Sequence, residues 1–279
     1  MRIPFLDTML APHRPGRLML VFLAGLLLTA LGLSLLGVIR QSPSALVFHT
    51  GLLLGVCWLS SLIFARAFQA RSNPESVLIS ALILALIISP AVPLSWKGLE
   101  LPLFAGVWAM ASKYLFTVQR QPLFNPAAFG VFCASLLVKG AASWWVGNYW
   151  SLGVVLVGGL LLLRKMRCLD LVLSFCGTVL AVSALMAHPG FAWLFTSEMV
   201  TRSALLFFAF VMLTEPRTTP IGRPWRIAFG VLVGILYAPA THFGALRFSP
   251  ESALLIGNLF SAVRKWRRRR LVAASRALL

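Results

Sequence analysis

The first segment whose residue types suit chemistry surrounds Asn125 and Pro126. Asn can cap a helix whose first turn contains proline, because its side-chain oxygen accepts hydrogen bonds from unpaired backbone N–H groups and proline has no N–H to lose there. The small residues Ala127 and Ala128 follow, and they would let another helix or a flat ligand approach closely. The segment therefore predicts either an ordinary helix cap or part of a binding site.

The second segment surrounds Glu215, at the end of the aromatic-rich apolar run from Phe207 to Leu213. Pro216 should end a helix there, because the residue before proline is disfavoured in the α conformation. A buried carboxylate is costly unless it is paired or hydrogen-bonded, and the chain has only 7 acidic residues. Pairing with Arg217 or Arg223 is the structural interpretation, and hydrogen bonding to a polar ligand is the functional one.

Neither segment is a catalytic motif. The chain contains no Ser/His/Asp order, no P-loop and no GxGxxG sequence placed before a helix. Its 4 cysteines form no CxxC pair and no Cys/His cluster. We therefore expect no catalytic residues and no metal site.

The elements that must position Asn125 and Glu215 are apolar stretches bounded by basic residues. Seven are uncharged and about long enough to cross a bilayer, which takes roughly 20 residues: Leu18 to Ile39, Gln41 to Ala65, Ser76 to Trp96, Gln121 to Val138, Gly140 to Leu163, Leu171 to Ser197 and Ile227 to Leu246. Three are shorter and can borrow flanking residues such as Lys113, whose long stem lets the charge reach the interface: Leu101 to Ser112, Ser203 to Thr214 and Ser252 to Val263. The pattern predicts an all-α polytopic membrane protein with ten spans.

The basic residues predict the orientation of these spans. With ten spans, 20 of the 25 Lys and Arg lie on the side of the two termini and 5 on the other side. By the positive-inside rule, both termini are cytoplasmic. We expect a multi-pass protein of the bacterial inner membrane: one integral membrane domain over residues 1–279, with a cytoplasmic segment at 1–17 and a basic cytoplasmic tail at 264–279.

Composition excludes most other classes of protein. Hydrophobic residues make up 59% of the chain, charged residues 11%, and the mean hydropathy is +0.88. That leaves too little polar surface for a water-soluble globule. The net charge of +18 would suggest nucleic acid in a soluble protein. Here it predicts orientation and contact with anionic membrane lipids, with no nucleic-acid partner.

Taken together, the two polar segments resemble the NqrB/RnfD family, the membrane flavin subunits of the sodium-pumping NADH:quinone reductase and of the Rnf electron-transport complex. The motif Phe124-Asn-Pro-Ala-Ala128 is similar to the family's FNPA-type turn. The segment Thr214-Glu-Pro-Arg-Thr-Thr-Pro220, with Gly222-Arg223, is similar to its "DP … T(T/S)P … GR" segment. A glycine-containing stretch at 229–234 and Gly257-Asn-Leu-Phe260 follow in the family's order. The resemblance covers roughly Lys113 to Val263.

The resemblance implies a fold of two five-helix inverted repeats and a flavin held near the cytoplasmic ends of the helices. An Asn amide and a carboxylate can bind the imide edge or ribityl hydroxyls of a flavin, while phenylalanines supply apolar surface. The implied cofactor-binding residues are Asn125, Glu215, Thr214, Thr218, Thr219, Phe124 and Lys113, with further phenylalanine surface from Phe129, Phe207, Phe208 and Phe210.

One loop departs from the family. Members with covalent FMN carry a Ser-Gly-Ala-Thr motif whose threonine takes the phosphoester. The corresponding loop here, Lys139 to Ser151, has no threonine, and Ser143 is the remaining hydroxyl near the motif's place. We therefore expect riboflavin or FMN bound non-covalently rather than covalent FMN.

Three functions stay open. The leading one is a membrane subunit of an NADH- or ferredoxin-linked oxidoreductase, which passes electrons between partner subunits and the membrane, with ion movement as a further expectation. The second is a solute channel or transporter, since the fold shares its architecture with urea channels and a fold does not fix a function. The third is a scaffold or assembly subunit without a cofactor.

Overall fold

The computed structural model describes residues 14–90, 96–118, 121–138, 140–186, 204–239, 241–243 and 246–277. Within these ranges the chain is mostly helical, with ten α-helices: α1 Pro15–Leu35, α2 Pro43–Ala67, α3 Pro74–Ile87, α4 Trp96–Leu115, α5 Pro126–Leu137, α6 Leu152–Met166, α7 Leu169–Met186, α8 Leu205–Phe207, α9 Arg223–Tyr237 and α10 Pro250–Ala277. A π-helical turn, Phe208–Met212, continues α8, and a 3-10 turn, Tyr149–Ser151, precedes α6.

Two short antiparallel hairpins join helices. Strands β1 (Thr117–Val118) and β2 (Gln121–Pro122) pair between α4 and α5. Strands β3 (His242–Phe243) and β4 (Leu246–Arg247) pair between α9 and α10. Each hairpin reverses the chain over a short distance, so the helices on either side can pack closely.

Several helices start where a polar side chain precedes proline. Ser42, Asn73 and Asn125 each cap a helix that has proline at its beginning, and each side chain accepts a hydrogen bond from a backbone N–H three residues later. This arrangement satisfies an N–H group that the helix cannot pair internally. The cap that the Asn125-Pro126 sequence predicts is therefore present in the structure.

Four helical segments are long and apolar enough to cross a membrane: Pro15–Leu35, Pro43–Ala67, Tyr149–Met166 and Leu169–Met186. Only 28% to 33% of the residues in their most apolar windows are buried inside the protein. Large apolar side chains such as Val21, Leu28 and Leu173 instead face outward. Such surfaces are stable against lipid tails and costly against water. By length and composition, these helices are consistent with an all-α membrane protein.

Close helix pairs build the core. α4 packs along α5, and a Cβ atom added to Gly130 would lie 2.3 Å from the carbonyl oxygen of Ala105. α7 packs along α9 in the same manner, since a Cβ atom added to Gly230 would lie 2.7 Å from the carbonyl oxygen of Leu171. Glycine at these two positions permits the backbone approach that membrane helices use in place of a hydrophobic driving force.

The structure differs from the predicted spans in the segment before α6. The predicted span from Gly140 begins as a non-helical segment, and α6 starts only at Leu152. Within that segment, the backbone N–H groups of Ser143 and Trp144 each donate to the carbonyl of Ile87 at 2.9 Å, and Nε1 of Trp145 donates to the carbonyl of Ala85 at 3.0 Å. These bonds satisfy buried carbonyl groups at the end of α3. α3 therefore ends at Ile87, well before the predicted limit of Trp96.

Other span limits also shift. α9 ends at Tyr237, and the β3–β4 hairpin occupies residues that were predicted to belong to the ninth span. α10 continues as helix into the basic tail and ends at Ala277. Residues 187–197 of the predicted span Leu171 to Ser197 and the first residue of the span Ser203 to Thr214 lie outside the described residues, as does segment 1–13.

The three shortest helices are too short to cross a bilayer alone. α3 has 14 residues, α5 has 12 and α8 has 3. At 1.5 Å per residue, even α3 is only about 21 Å long, against about 30 Å of hydrocarbon. The amino end of α5 is buried, since Asn125 and Pro126 are both inside the protein, whereas Asn73 and Pro74 at the amino end of α3 are exposed. The functional candidates are found beside these two helix starts.

Candidate functional site

Asn125 joins three elements of the structure. Its Oδ1 accepts from the backbone N–H of Ala128 at 3.1 Å, which caps α5. Its Nδ2 donates to the carbonyl of Met212 at 3.3 Å, and its backbone N–H donates to Oδ1 of Asn258 at 2.8 Å. Only 2% of Asn125 is exposed. Its side chain therefore ties the start of α5 to the π-helical turn, while its backbone ties the same point to α10.

The π-helical turn brings the chain to Glu215. The N–H of Leu213 donates to the carbonyl of Phe208 at 3.0 Å, a bond that spans five residues instead of four. Such wide turns are uncommon and frequently occur at functional sites. Pro216 follows Glu215 at the end of this turn, in agreement with the predicted stop. The carboxyl group of Glu215 is thereby placed in the connection between α8 and α9.

Glu215 is a half-buried acid with one buried, unsatisfied oxygen atom. Within the part of the chain that the structure describes, its Oε2 is buried and has no hydrogen-bond partner, so neither Arg217 nor Arg223 satisfies it. Burial raises the pKa of Glu215 to about 7, although the charges of Lys113, Arg217 and Lys265 oppose the shift. Near neutral pH this carboxyl group can therefore be protonated or ionised.

A cavity of about 300 Å³ lies beside Glu215, and we call it the Glu215 cavity. Its wall includes the start of α1, the first turns of α3, the start of α5 and the π-helical turn; its polar residues are Arg14, Asn73, Glu75, Ser76, Ser80, Asn125, Glu215 and Arg217. The rest of the wall is apolar and consists of aliphatic side chains and methionines, among them Met19, Ile83 and Val211, together with Gly16 and three prolines. Apolar walls with a few convergent polar groups are typical of small-molecule sites.

The structure thus brings Asn125 and Glu215, which are ninety residues apart in the chain, to the wall of one cavity. Lys113 lies outside this wall. Its Nζ donates to the carbonyl and the hydroxyl of Ser76 at 2.7 and 3.1 Å, which attaches α4 to the first turn of α3. Ser76 lines the Glu215 cavity, so Lys113 holds α3 at the site, and its charge also lowers the pKa of Glu215.

The three threonines of the predicted set lie behind the cavity wall. Oγ1 of Thr214 donates to the carbonyl of Phe210 at 2.6 Å, and Oγ1 of Thr219 donates to the carbonyl of Glu215 at 2.7 Å. Oγ1 of Thr218 is 3.4 Å from the same carbonyl of Glu215. Their hydroxyl protons therefore hold the connection that carries Glu215, and the threonines support the acid rather than border the cavity.

The phenylalanines occupy other places. Phe124 stacks on Phe129 with ring centroids 5.3 Å apart, and Phe116 packs against both rings. Phe207 and Phe208 contact Trp144 on another side of α8. No aromatic residue belongs to the described wall of the Glu215 cavity. The stacking surface that the resemblance implies is therefore replaced there by aliphatic side chains and methionines.

Two contributors were not identified from the sequence. Asn258 was noted only as part of a motif, yet it binds the backbone of Asn125 across 133 residues of chain. Asn73-Pro74 begins α3 at the cavity just as Asn125-Pro126 begins α5. The repeated Asn-Pro pair was a visible signal for the second case, whereas nothing local indicated the first.

Comparisons with known proteins do not assign this chain to a family. No family model matches the chain, and no curated protein matches it. The likeness to the NqrB/RnfD family therefore rests on the motif residues and on their order along the chain.

Proposed function

We propose that the protein is a membrane subunit of an electron-transport complex that binds a non-covalent flavin, riboflavin or FMN, in the Glu215 cavity. In this proposal the flavin passes electrons between a reduced partner subunit and an acceptor in the membrane. The observation that carries the proposal is the buried, unpartnered Oε2 of Glu215 on the wall of a 300 Å³ cavity. A buried, unsatisfied carboxylate oxygen beside an apolar cavity offers a polar ligand a hydrogen-bond partner.

The residues fit the polar edge of a flavin. A carboxyl group with a pKa of about 7 can accept from the ring imide when ionised and donate to a ring carbonyl when protonated. Asn125 uses one N–H for Met212, so the second N–H of its amide remains available to a ligand. Met19, Ile83 and Val211 would contact the faces of the ring. The bound flavin would supply the redox chemistry, while these residues bind and orient it.

The packing of the helices supports the proposed inverted repeats. In the first half of the chain, α2 packs on α4 and α4 on α5. In the second half, α7 packs on α9 and α9 on α10, in the same order. We propose that α1–α5 and α6–α10 are the two repeats, with the Glu215 cavity at their junction. This arrangement is typical of membrane proteins whose short helices end at a central site.

Flavin content tests the proposed function. The wild-type protein, purified in detergent, should show a flavin absorbance spectrum or should bind added riboflavin or FMN. Asn125→Ala and Glu215→Ala should each lower the affinity about tenfold to a hundredfold, because losing one buried polar contact costs about 1 to 3 kcal/mol. Glu251→Gln is the matched control, since Glu251 is a buried acid outside the cavity wall and should keep its flavin. A wild-type protein that binds neither flavin would overturn the proposal.

A solute channel or transporter is the second candidate. The observation in its favour is that α3 and α5 both begin at the cavity, as broken helices do in many transporters. Liposomes containing the protein would then show uptake of a small polar solute, and Glu215→Gln would alter it. Flux without any flavin binding would favour this candidate over the first.

We also propose that both termini face the cytoplasm. The excess of Lys and Arg on one side supports this orientation. Topology reporters fused at Gln69 and Met166 should give the cytoplasmic signal, and a reporter at Ser143 should give the outer one. A cytoplasmic signal at Ser143 would contradict the orientation.

A further inference from the structure

A second cavity, of about 880 Å³, lies on the other side of the start of α3, and we call it the basic cavity. Its cationic residues are Arg71, Lys113 and Arg217. Among the described residues that line it, none is Asp or Glu. Glu215, in the wall of the neighbouring Glu215 cavity, acts on Lys113 and Arg217, but three cations against this one carboxylate leave a positive potential that favours an anion.

Hydrogen bonds organise the wall of this cavity. The hydroxyls of Ser61 and Tyr114 are 2.9 Å apart, and Ser61 Oγ is also 2.9 Å from Ser72 Oγ. The ring of Tyr114 stacks near Phe64 and Phe68, with centroids 6.1 and 6.3 Å away. The hydroxyl cluster is therefore held in place before a ligand arrives.

Lys113 is held as well. Two of its three ammonium protons are used by the carbonyl and hydroxyl of Ser76, which fixes the side chain along α3. The third donor is left for a ligand. Arg71 and Arg217 are exposed guanidinium groups that can each bind two oxygens of one anion.

We infer that the basic cavity binds a phosphate monoester. The dianion of a monoester offers three oxygens, which match two guanidinium forks, an ammonium group and nearby hydroxyls. A volume of 880 Å³ exceeds that of inorganic phosphate alone, so an organic group can accompany the phosphate. The chemistry is shared by a soluble phosphorylated ligand and by the headgroup of a lipid such as phosphatidic acid.

The two cavities share Asn73, Ser76 and Arg217 in their walls. One ligand with an apolar ring and a terminal phosphate could therefore occupy both. If the flavin assignment is correct, this geometry selects FMN over riboflavin, and this extension rests on the proposed function. Binding of a phosphate monoester does not depend on it.

The first experiment measures stability without any flavin. The melting temperature of the detergent-purified protein is recorded with sodium phosphate and with sodium chloride at equal ionic strength, so that screening is the same. The same measurement is made in nanodiscs with phosphatidic acid and with phosphatidylglycerol, which is a phosphate diester. Stabilisation by phosphate indicates a soluble ligand, and stabilisation only by phosphatidic acid indicates the lipid headgroup.

Arg71→Gln should reduce the stabilisation, whereas Arg66→Gln should leave it unchanged. Arg66 is an exposed arginine at the end of α2 and does not line the basic cavity, so it controls for loss of one positive charge. The melting temperatures of both variants without phosphate show whether they fold normally. If phosphate and phosphatidic acid stabilise no more than their controls, or if the two variants respond alike, the inference is wrong.

The second experiment compares FMN with riboflavin by fluorescence titration. FMN should bind at least tenfold more tightly, and Arg71→Gln should remove about tenfold of FMN affinity while riboflavin binding stays the same. If neither flavin binds but phosphate stabilises the protein through Arg71, the flavin proposal fails and the phosphate site stands. Equal affinity for FMN and riboflavin, together with no response to phosphate, would overturn the phosphate site.

Discussion

Two acids of this protein, each with a buried carboxylate oxygen, have opposite surroundings. Glu251, in the first turn of α10, is 4% exposed and accepts a hydrogen bond from Nε1 of Trp144 at 3.1 Å. Oε2 of Glu215 is buried beside a cavity and has no partner among the described residues. Asn258, seven residues after Glu251 on α10, contacts Asn125 at the site, so the two environments are only about 10 Å apart along that helix.

The difference teaches how to separate structural from functional acids in an apolar chain. Glu251 has a donor in Trp144, and Trp144 belongs to the segment that caps α3 through Ile87. Its carboxyl group therefore joins α10 to that segment. Glu215 is left unsatisfied, which costs stability and is tolerated where a ligand supplies the missing bond. The predictions below test this assignment from the largest expected effect to the smallest.

The pH dependence of stability should distinguish Glu215 most strongly. Its pKa is raised from 4.5 to about 7 in the folded protein, so the folded state binds more protons than the unfolded state between these values. The free energy of unfolding should therefore fall as pH rises from about 5 to about 7 and then level off, by about 3 kcal/mol in all. Glu215→Gln should remove this dependence and should be more stable than the wild type at pH 8.

Unfolding in mixed micelles across this pH range is the measurement. Glu100→Gln, which changes an acid of α4 outside the Glu215 cavity, is the control and should keep the wild-type slope. A Glu215→Gln variant with the same slope as the wild type would show that Glu215 is not the titrating group. A ligand that prefers the protonated acid would steepen the dependence.

Trp144→Phe should lower stability without affecting the ligand. The substitution removes the N–H that satisfies Glu251 Oε1, and an unsatisfied buried acceptor costs about 1 to 3 kcal/mol. Thermal unfolding measures the loss, and the flavin titration should give wild-type affinity. If Trp144→Phe also abolished flavin binding, the two acids would not be separable into a structural and a functional one.

Local sequence signals predicted where helices begin and end near the site. The Asn125-Pro126 pair indicates the start of α5, and Pro216 indicates the end of the helical run before it, because caps and proline act on adjacent backbone groups. Uninterrupted apolar length predicted α1 and α2, both of which are long enough to span a membrane.

Contacts between residues far apart in the chain determine features of the fold and the site that the sequence pattern does not predict. α3 ends at Ile87 because the segment before α6 pairs with its last carbonyl groups, and the apolar residues of that segment look the same as those of a span. The contact between Asn258 and Asn125 joins residues 133 positions apart. The unpartnered Oε2 of Glu215 is a property of the packed protein, since Arg217 and Arg223 stand near it in sequence and were equally plausible partners.

Asn258 and Ser261, two polar residues on α10, allow a comparison of a partnered side chain with an unpartnered one beside the site. Asn258→Ala removes the acceptor of the Asn125 N–H and should cost about 1 to 2 kcal/mol of stability. It should also weaken flavin binding, because Asn125 would shift at the cavity wall. Ser261→Ala is the matched control one turn later: its Oγ is buried without a partner in the described residues, so its loss should be neutral or stabilising. Equal costs for the two variants would mean that Asn258 does not position Asn125.

The smallest effect is expected from substitutions of Thr219. They test whether the threonines bind the ligand or only support Glu215. Oγ1 of Thr219 is within hydrogen-bond distance of the carbonyls of Leu213 and Glu215, at 3.2 and 2.7 Å. Thr219→Val keeps the shape of the side chain and removes this donor, so unfolding should become easier by about 1 kcal/mol. Thr219→Ser keeps the hydroxyl and should retain most of the stability.

Because Thr219 lies behind the cavity wall, flavin affinity in Thr219→Val should change less than threefold, against tenfold or more in Glu215→Ala. A loss of affinity as large as that of Glu215→Ala, with unchanged stability, would instead place the threonine hydroxyl in contact with the ligand.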